Sequence, residues 1–313
     1  FFYYSRTVEG LQYPIRCRKP AGPDGTLRED AAEEVLLDQN EMAKGLKFLS
    51  VGAFAVSDDA ARLLYSTDDT GFRQYELFVK DLKTGAVEGP LAERVTSVAW
   101  AADNRTVFYV TEHPVTKRSD TLWRLEIGSA PVKVYEEKDE QFSIVVGRTK
   151  DRKYVVLGSG STDTWDRRLL PAATPAGEFR PVLPREKGHK YDVEHRDGTL
   201  FIRTNKGAKN FRLVAAPLRR RGGDWRHLRD GARRHRVAGV AALASAARAE
   251  GPDVGHLHDL GGGQRARRPV LDRALVAVSL IVLGLSCVEA GPGGPPGGSA
   301  GVRAVRAEGR GIT

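Results

Sequence analysis

Cysteine is almost absent from this chain, which has only Cys17 and Cys287 among its 313 residues. Two distant thiols provide neither the spacing of a metal cluster nor a set of disulfides, which is typical of a reducing compartment. We therefore expect a cytoplasmic location and no cofactor. Long apolar runs are also scarce: one covers residues 274–288, whereas roughly 20 residues are needed to cross a bilayer. We predict no membrane partner.

The start of the sequence has neither a methionine nor a signal peptide. It runs Phe1-Phe2-Tyr3-Tyr4, which is the pattern of a β-strand interior. We therefore expect that an amino-terminal part precedes Phe1, and we draw no conclusion about export from the missing signal peptide.

Lysine, phenylalanine and tyrosine are missing after Leu218. Residues 1–218 contain 33 Lys and Arg against 32 Asp and Glu, an ordinary balance. Residues 219–313 contain 16 Arg, no Lys and 8 acidic residues, with Trp225 as the only aromatic ring. The net charge of +9 therefore belongs almost entirely to this second segment, which we call the tail. The composition predicts a domain boundary at Leu218.

A repeated motif organises residues 1–218. In each copy, a polar turn around an aspartate leads into a strand with an apolar centre, and the aspartates are 44, 48 and 46 residues apart. The four aspartates are Asp59, Asp103, Asp151 and Asp197. A period in the mid-forties that consists of short strands is typical of β-propeller blades, each a four-stranded antiparallel sheet. We predict an all-β fold, a partial propeller of about four blades.

The pattern of turns and apolar residues places individual strands. In the second unit we predict strands at residues 50–56, 62–67 and 75–81, followed by a turn at 83–85 and an outer strand. The third unit repeats this order at 96–100, 106–111 and 121–126. Residues 29–37 are the one candidate helix. A β-sandwich with irregular loops is the alternative all-β fold.

Several long strings in this segment resemble oligopeptidase B, a branch of the prolyl oligopeptidase family of serine peptidases. They begin at Phe2-Tyr-Tyr-Ser-Arg-Thr7 and Glu34-Val-Leu-Leu-Asp-Gln-Asn-Glu-Met42. Tyr65-Ser-Thr-Asp-Asp-Thr-Gly-Phe-Arg-Gln-Tyr75 and Arg94-Val-Thr-Ser-Val-Ala-Trp100 continue the match, and Ile202-Arg-Thr-Asn-Lys-Gly207 closes it. The resemblance is collinear over residues 1–218 and stops at about Leu218.

The resemblance implies a seven-bladed propeller joined to an α/β-hydrolase domain that carries Ser, Asp and His in that order. It implies cleavage of short peptides after Arg or Lys, with the propeller covering the active site and the imidazole taking the serine proton. We expect this chain to contain the substrate-gating propeller, to lack the α/β-hydrolase domain and to be inactive alone. The alternative is a non-enzymatic propeller that serves as a binding scaffold.

One G-x-S-x-G string exists, Gly297-Gly-Ser-Ala-Gly301, with Ser299 at its centre. A nucleophile elbow needs an apolar strand before the serine and a helix after it, but Gly291-Pro-Gly-Gly-Pro-Pro296 precedes Ser299. The 14 residues that follow, 300–313, contain neither Asp nor His. We interpret the string as a chance occurrence and assign no catalytic residue.

The other candidates are weaker still. His256, His258 and Asp259 have no third histidine or cysteine at a recognisable ligand spacing, so we predict no metal site. We interpret His113, His189 and His195 as ordinary surface or core residues. Gly158-Ser-Gly-Ser161 lacks the lysine of a phosphate loop and is predicted to be a turn; Asp81-Leu-Lys-Thr-Gly85 is predicted to be an outer hairpin.

The tail has two possible interpretations. The arginines of residues 219–236 could form a nucleic-acid-binding arm, since arginine neutralises phosphates. Alternatively, the tail is a G+C-rich gene translated out of frame, because Arg, Ala and Gly make up 49 of its 95 residues and lysine is missing. We favour the second interpretation, expect a disordered or loosely helical segment, and do not expect nucleic acid as a partner.

Overall fold

The computed structural model of the chain describes residues 1–218, and these residues form five antiparallel sheets in chain order. We call the sheets blades 1 to 5. Blade 1 has three strands: β1 (Phe2–Arg6), β2 (Ile15–Lys19) and β3 (Glu34–Asp38). A four-residue helix, α1 (Gln39–Met42), follows it. The architecture is that of a partial β-propeller, as predicted.

Blades 2, 3 and 4 each have four strands in sequential order. Blade 2 consists of β4 (Ser50–Val56), β5 (Arg62–Asp68), β6 (Glu76–Asp81) and β7 (Val87–Ala92). Blade 3 consists of β8 (Val95–Trp100), β9 (Thr106–Glu112), β10 (Ser119–Glu126) and β11 (Val132–Glu136). Blade 4 consists of β12 (Ser143–Arg148), β13 (Tyr154–Gly160), β14 (Trp165–Pro171) and the two-residue β15 (Arg180–Pro181).

Blade 5 has three strands in the described residues: β16 (Tyr191–Arg196), β17 (Thr199–Thr204) and β18 (Arg212–Pro217). The first strands of successive blades lie beside one another around the centre of the arrangement. The indole of Trp100 in β8 donates to the carbonyl of Ala55 in β4 at 2.9 Å, and Val146 in β12 donates to the hydroxyl of Ser97 in β8 at 3.0 Å. These first strands therefore form the inner side of the arc of blades, and we call the space that they face the channel.

The core lies between blades, because both faces of the sheet in blades 2, 3 and 4 are covered by neighbouring blades. Consecutive residues show this directly: Leu63 packs against Leu36 of blade 1, whereas Leu64 packs in the cluster shared with blade 3. In the same way Val107 belongs to the cluster between blades 2 and 3, and Phe108 to the cluster between blades 3 and 4. Burial of one such leucine stabilises the fold by roughly 1.5–3 kcal/mol. Continuous apolar runs rather than alternation therefore mark the middle strands.

The four repeat aspartates occupy the equivalent turn of successive blades, between the first and second strand, as predicted. In three of these turns the residue after the aspartate is in the left-handed region: Ala60, Asn104 and Arg152 have φ of 58°, 56° and 59°. The aspartates stabilise the turn by accepting nearby N–H groups; Asp103 accepts from Arg105 and Thr106 at 3.0 and 2.8 Å. Asp197 itself has a φ of 49° in a two-residue turn with Gly198.

The predicted helix at residues 29–37 is wrong. Residues 34–38 form β3, which pairs with β2 and places Leu36 and Leu37 against Leu63 of blade 2. The helical turn begins only afterwards, where the carboxylate of Asp38 accepts from Asn40 at 2.9 Å as an N-cap. Tertiary burial therefore overrides the local helical pattern. Within the described residues, no helix is long or apolar enough to span a membrane; the apolar run at 274–288 lies outside them.

Candidate functional site: a cavity at one end of the channel

The structure separates the three histidines of residues 1–218. His113 Nδ1 accepts from the backbone of Val115 and Thr116, both at 3.2 Å, in the turn after β9. His189 is buried, which lowers its pKa, and its Nε2 is hydrogen-bonded to Thr204 at 2.7 Å. His195 pairs with a carboxylate. Among the described residues, no serine hydroxyl is hydrogen-bonded to a histidine, so this part of the chain contains no Ser-His pair.

The glycine- and serine-rich string at 158–161 is mostly not a turn. Gly158, Ser159 and Gly160 belong to β13, and the buried hydroxyl of Ser159 donates to Glu137 at 2.8 Å. The string was predicted to be a turn, but its glycines lie within the strand, where the missing side chains allow Arg167 to approach Gly158 and Trp165 to approach Gly160. The predicted outer hairpin at Asp81 is confirmed, since Asp81 accepts from Lys83 and Thr84 at 2.9 and 2.7 Å.

No group of three metal-ligating side chains converges anywhere in residues 1–218. His256, His258, Asp259 and Ser299 lie outside the described residues.

The aspartate turns connect the blades at one end of the channel. Arg18 of blade 1 donates to the carbonyl of Ala60 at 2.6 Å, and the side chain of Asn104 accepts from Asp58 N–H at 2.7 Å. These bonds tie the turn of blade 2 to blades 1 and 3. In each bond the donor and the acceptor belong to different blades, so the two bonds fix the spacing between neighbouring blades.

The turn of blade 4 is bound to blade 5 by an acid–imidazole pair whose histidine is buried. His195 Nδ1 lies 2.6 Å from Asp151 Oδ2, and Tyr154 packs edge-on against the imidazole. Burial acts to raise the pKa of Asp151, but hydrogen bonds from Thr149 and His195 outweigh it and lower that pKa. The backbone N–H of the adjacent Lys150 donates to Glu194 at 2.9 Å.

Asp58 makes the longest connection, which skips a blade. Its carboxylate accepts from Arg148 Nη1 at 2.9 and 3.0 Å and from Arg152 Nη1 at 2.9 Å. Arg148 also donates through Nη2 to the carbonyl of Arg152. We call Asp58, Arg148 and Arg152 the clasp. It joins the turn of blade 2 directly to that of blade 4.

A cavity of about 580 Å³ lies beside the clasp. Its apolar wall comes from the ends of β4 and β8 and includes Phe54, Val98 and Trp100. Its charged wall comes from the turn of blade 4, namely Arg148, Lys150 and Arg152, together with Asp58. The cavity therefore combines a channel-facing apolar surface with three cations and one carboxylate.

A second ionic cluster binds blade 3 to blade 4 near the opposite end of the strands. Arg185 forms ion pairs with Glu137 and Asp166, whose side chains are 5% and 3% exposed. Burial acts to raise the pKa of Glu137, but hydrogen bonds from Arg185, Ser159 and Tyr135 lower it to about 2. All the members have partners within the cluster, so its role is to hold the two blades together.

Sequence reasoning found the turns but not the clasp. Asp59 carries the repeat and caps its own turn, whereas the preceding Asp58 reaches across the channel. Two features of the sequence hint at the clasp: the consecutive acids Asp58-Asp59, and the basic residues Arg148, Lys150 and Arg152 two repeats later.

Five antiparallel blades around a channel define a β-propeller protein. Residues 1–241 match the family model described as the prolyl oligopeptidase N-terminal β-propeller domain. The chain therefore belongs to the prolyl oligopeptidase family. The match extends past Leu218 into residues that the structure does not describe, so the boundary at Leu218 stays a prediction.

Curated relatives agree with this assignment. The chain is 36% identical over 234 residues to dipeptidyl aminopeptidase BI of Pseudoxanthomonas mexicana, and 36% identical over 229 residues to protease 2 of Moraxella lacunata. These matches cover 69% and 70% of this chain but only 32% of each relative. The chain thus spans about a third of the length of the curated relatives it matches.

Solved structures place it beside oligopeptidase B. The enzyme from Leishmania major superposes with a TM-score of 0.61 at 30% identity, over 69% of this chain and 31% of that one. Oligopeptidase B from Trypanosoma brucei, in a closed form with covalently bound antipain, gives a TM-score of 0.58 at 34% identity, over 71% and 32% of the two chains. The resemblance to oligopeptidase B inferred from the sequence is confirmed.

Proposed function

We propose that this chain is the propeller portion of a serine peptidase that hydrolyses short peptides after Arg or Lys, and that it does not hydrolyse them by itself. The observation that supports the proposal is the family match, together with the similarity to oligopeptidase B at 30% and 34% identity. In this proposal the catalytic Ser, Asp and His of the parent enzyme lie in the part that corresponds to the remaining two thirds of the relatives' length, which this chain does not cover. We also propose a cytoplasmic location, on the basis of the two distant cysteines.

The propeller contributes selection by size in this proposal. First strands from successive blades line the channel, and the clasp joins blades 2 and 4 at one end of it. An extended peptide passes through such an opening more easily than a folded protein, because a folded protein would have to unfold first. The propeller would thereby restrict access to a covered active site.

Hydrolysis assays test the inactivity of the chain. The purified protein is incubated with a fluorogenic Arg-Arg amide and with a Lys ester, and we expect no turnover above the buffer rate. Ser299→Ala tests the one serine in a G-x-S-x-G string, and Ser129→Ala is the matched control at an exposed site. Turnover that is lost in Ser299→Ala and kept in Ser129→Ala would overturn the proposal.

The coding DNA tests the parent activity and the reading frame. We expect one of the other two frames beyond the codon for Leu218 to encode propeller strands and then a G-x-S-x-G elbow followed by Asp and His. Stop codons throughout both alternative frames would exclude the out-of-frame interpretation.

A binding scaffold with a basic tail is the second candidate, supported by the eight arginines of residues 219–236. It predicts nucleic-acid affinity that falls steeply with salt, since phosphate contacts release counterions. Equilibrium binding of a DNA duplex at two salt concentrations distinguishes it, because the peptidase proposal predicts no specific complex.

A further inference from the structure

The cavity beside the clasp has an uneven charge that the fold does not explain. Of its lining residues, Arg148, Lys150 and Arg152 are cationic and Asp58 is the one acid, which leaves a net charge of +2. The three cations lie within five consecutive residues, at the end of β12 and in the turn that follows it, and all three line the cavity.

The guanidinium of Arg148 is held in a fixed position. Its side chain is 12% exposed, two of its hydrogen bonds go to Asp58, and a third goes to the carbonyl of Arg152. A guanidinium held in place by three hydrogen bonds is suited to recognise a carboxylate, because little conformational entropy is lost when the anion binds.

The remaining donors at the cavity are available to a ligand. Arg152 uses only Nη1 toward Asp58, and its side chain is 54% exposed. The ammonium of Lys150 makes no hydrogen bond or ion pair at close range among the described residues; its charge acts on the neighbouring carboxylate of Glu194, which accepts from the Lys150 backbone N–H. Phe54, Val98 and Trp100 form an apolar surface next to these donors.

We propose that the cavity is a carboxylate-binding site for the free carboxyl end of an oligopeptide, and that Asp58 occupies part of it as an internal carboxylate. An incoming carboxylate binds Lys150 and Arg152 and competes with Asp58 for the clasp, while an apolar side chain of the peptide contacts the channel wall. The choice of a peptide rests on the proposed function; the carboxylate chemistry rests on the cavity alone.

The test measures binding rather than hydrolysis, so it is independent of the assays above. Acetyl-Phe-Ala and its carboxamide are titrated into the full chain by calorimetry. We expect the free acid to bind about tenfold or more tightly than the amide, because charge-assisted hydrogen bonds are the stronger ones. We expect the affinity of the acid to fall as salt is raised.

Variants of the blade 4 turn supply the controls. Lys150→Gln and Arg152→Gln should each weaken binding of the acid about tenfold and leave the amide unchanged. Lys153→Gln is the matched control, since Lys153 is exposed on the same turn and does not line the cavity. Asp58→Asn removes the internal competitor and should tighten binding of the acid.

Equal affinities for acid and amide would overturn the proposal, as would equal effects of Lys150→Gln and Lys153→Gln. Thermal unfolding of each variant shows whether it is folded. If Asp58→Asn does not fold, the two cation variants decide the matter. 3-Phenylpropionate is a carboxylate without a peptide bond. If it binds as tightly as acetyl-Phe-Ala and responds to the variants in the same way, the carboxylate site is supported and the oligopeptide as its specific ligand is refuted.

Discussion

Arg185→Gln removes the cation that two buried carboxylates share. Glu137 follows the outer strand of blade 3, Asp166 is the second residue of β14 in blade 4, and the guanidinium of Arg185 forms ion pairs with both. The same guanidinium stacks over Phe142 at 3.9 Å. Glutamine retains one donor group but no charge, so Glu137 loses its ion-pair partner, Asp166 keeps only Arg168 at 3.8 Å, and the ring of Phe142 loses its cation.

The expected cost follows from the burial of this cluster. Removal of one partner of a buried ion pair typically costs 3–5 kcal/mol, and the 28% exposure of Arg185 lets water reach the cluster, so we expect about 3 kcal/mol. For a domain of this size that amounts to a fall in Tm of about 6–12 °C.

The pH dependence gives a second signature of the same cluster. In the folded state the pKa of Glu137 is lowered from 4.5 to about 2. The unfolded state therefore binds this proton more tightly, and the stabilisation, present above pH 4.5, is lost as the pH falls from 4.5 to 2. A shift of this size corresponds to about 3 kcal/mol. Arg185→Gln should lose most of this dependence.

Urea unfolding monitored by tryptophan fluorescence measures both effects between pH 3 and pH 7. Lys187→Gln is the control, because Lys187 is exposed two residues away and undergoes the same loss of charge. A free energy of unfolding for Arg185→Gln within about 0.5 kcal/mol of that for Lys187→Gln, the range of ordinary surface substitutions, would refute the account of the cluster.

Three further predictions concern other parts of the chain. Asp103→Ala should lower the free energy of unfolding by about 2 kcal/mol, since it removes charge-assisted hydrogen bonds within a turn, whereas Asp69→Ala at an exposed position should have almost no effect in the same urea assay. Leu122→Ala, at a fully buried position, should lower the free energy of unfolding by about 3–4 kcal/mol. Val115→Ala, at a position that is 81% exposed, should lower it by less than about 0.5 kcal/mol. Equal values for the two variants would contradict the placement of the core between blades. If the tail is out of frame, limited trypsin digestion should cut first within residues 219–236, and a protease-resistant tail that unfolds together with the blades would exclude that interpretation.

Much of the fold could be predicted because the propeller repeat is local. Asp103 and its neighbours form a turn through contacts within four residues, and the apolar residues that follow form a strand wherever such a turn precedes them. The predicted strand at 106–111 therefore differs from the observed Thr106–Glu112 by a single residue. Local chemistry, repeated four times, is sufficient to locate blades 2 to 5.

The features that sequence reasoning missed depend on distant partners. Residues 34–38 are a strand only because β2 pairs with them and Leu63 of the next blade covers Leu36. The clasp joins Asp58 to Arg148 across 90 positions, from one repeat to the next but one. A single sequence shows which residues begin a turn, but it does not show which turns meet across a channel.

The clasp has a consequence for how the blades come apart. In a stack whose units touch only their neighbours, unfolding proceeds from the ends one unit at a time. Asp58 is an exception to this rule because it connects blade 2 directly to blade 4. Unfolding of blade 3 would separate blades 2 and 4 and would therefore also break the clasp. Asp151 and His195 join blade 5 to its neighbour, blade 4, as Arg18 and the Leu36 cluster join blade 1 to its neighbour, blade 2. Blades 2 to 4 should therefore unfold as one cooperative block, with the end blades 1 and 5 as the units free to fray first.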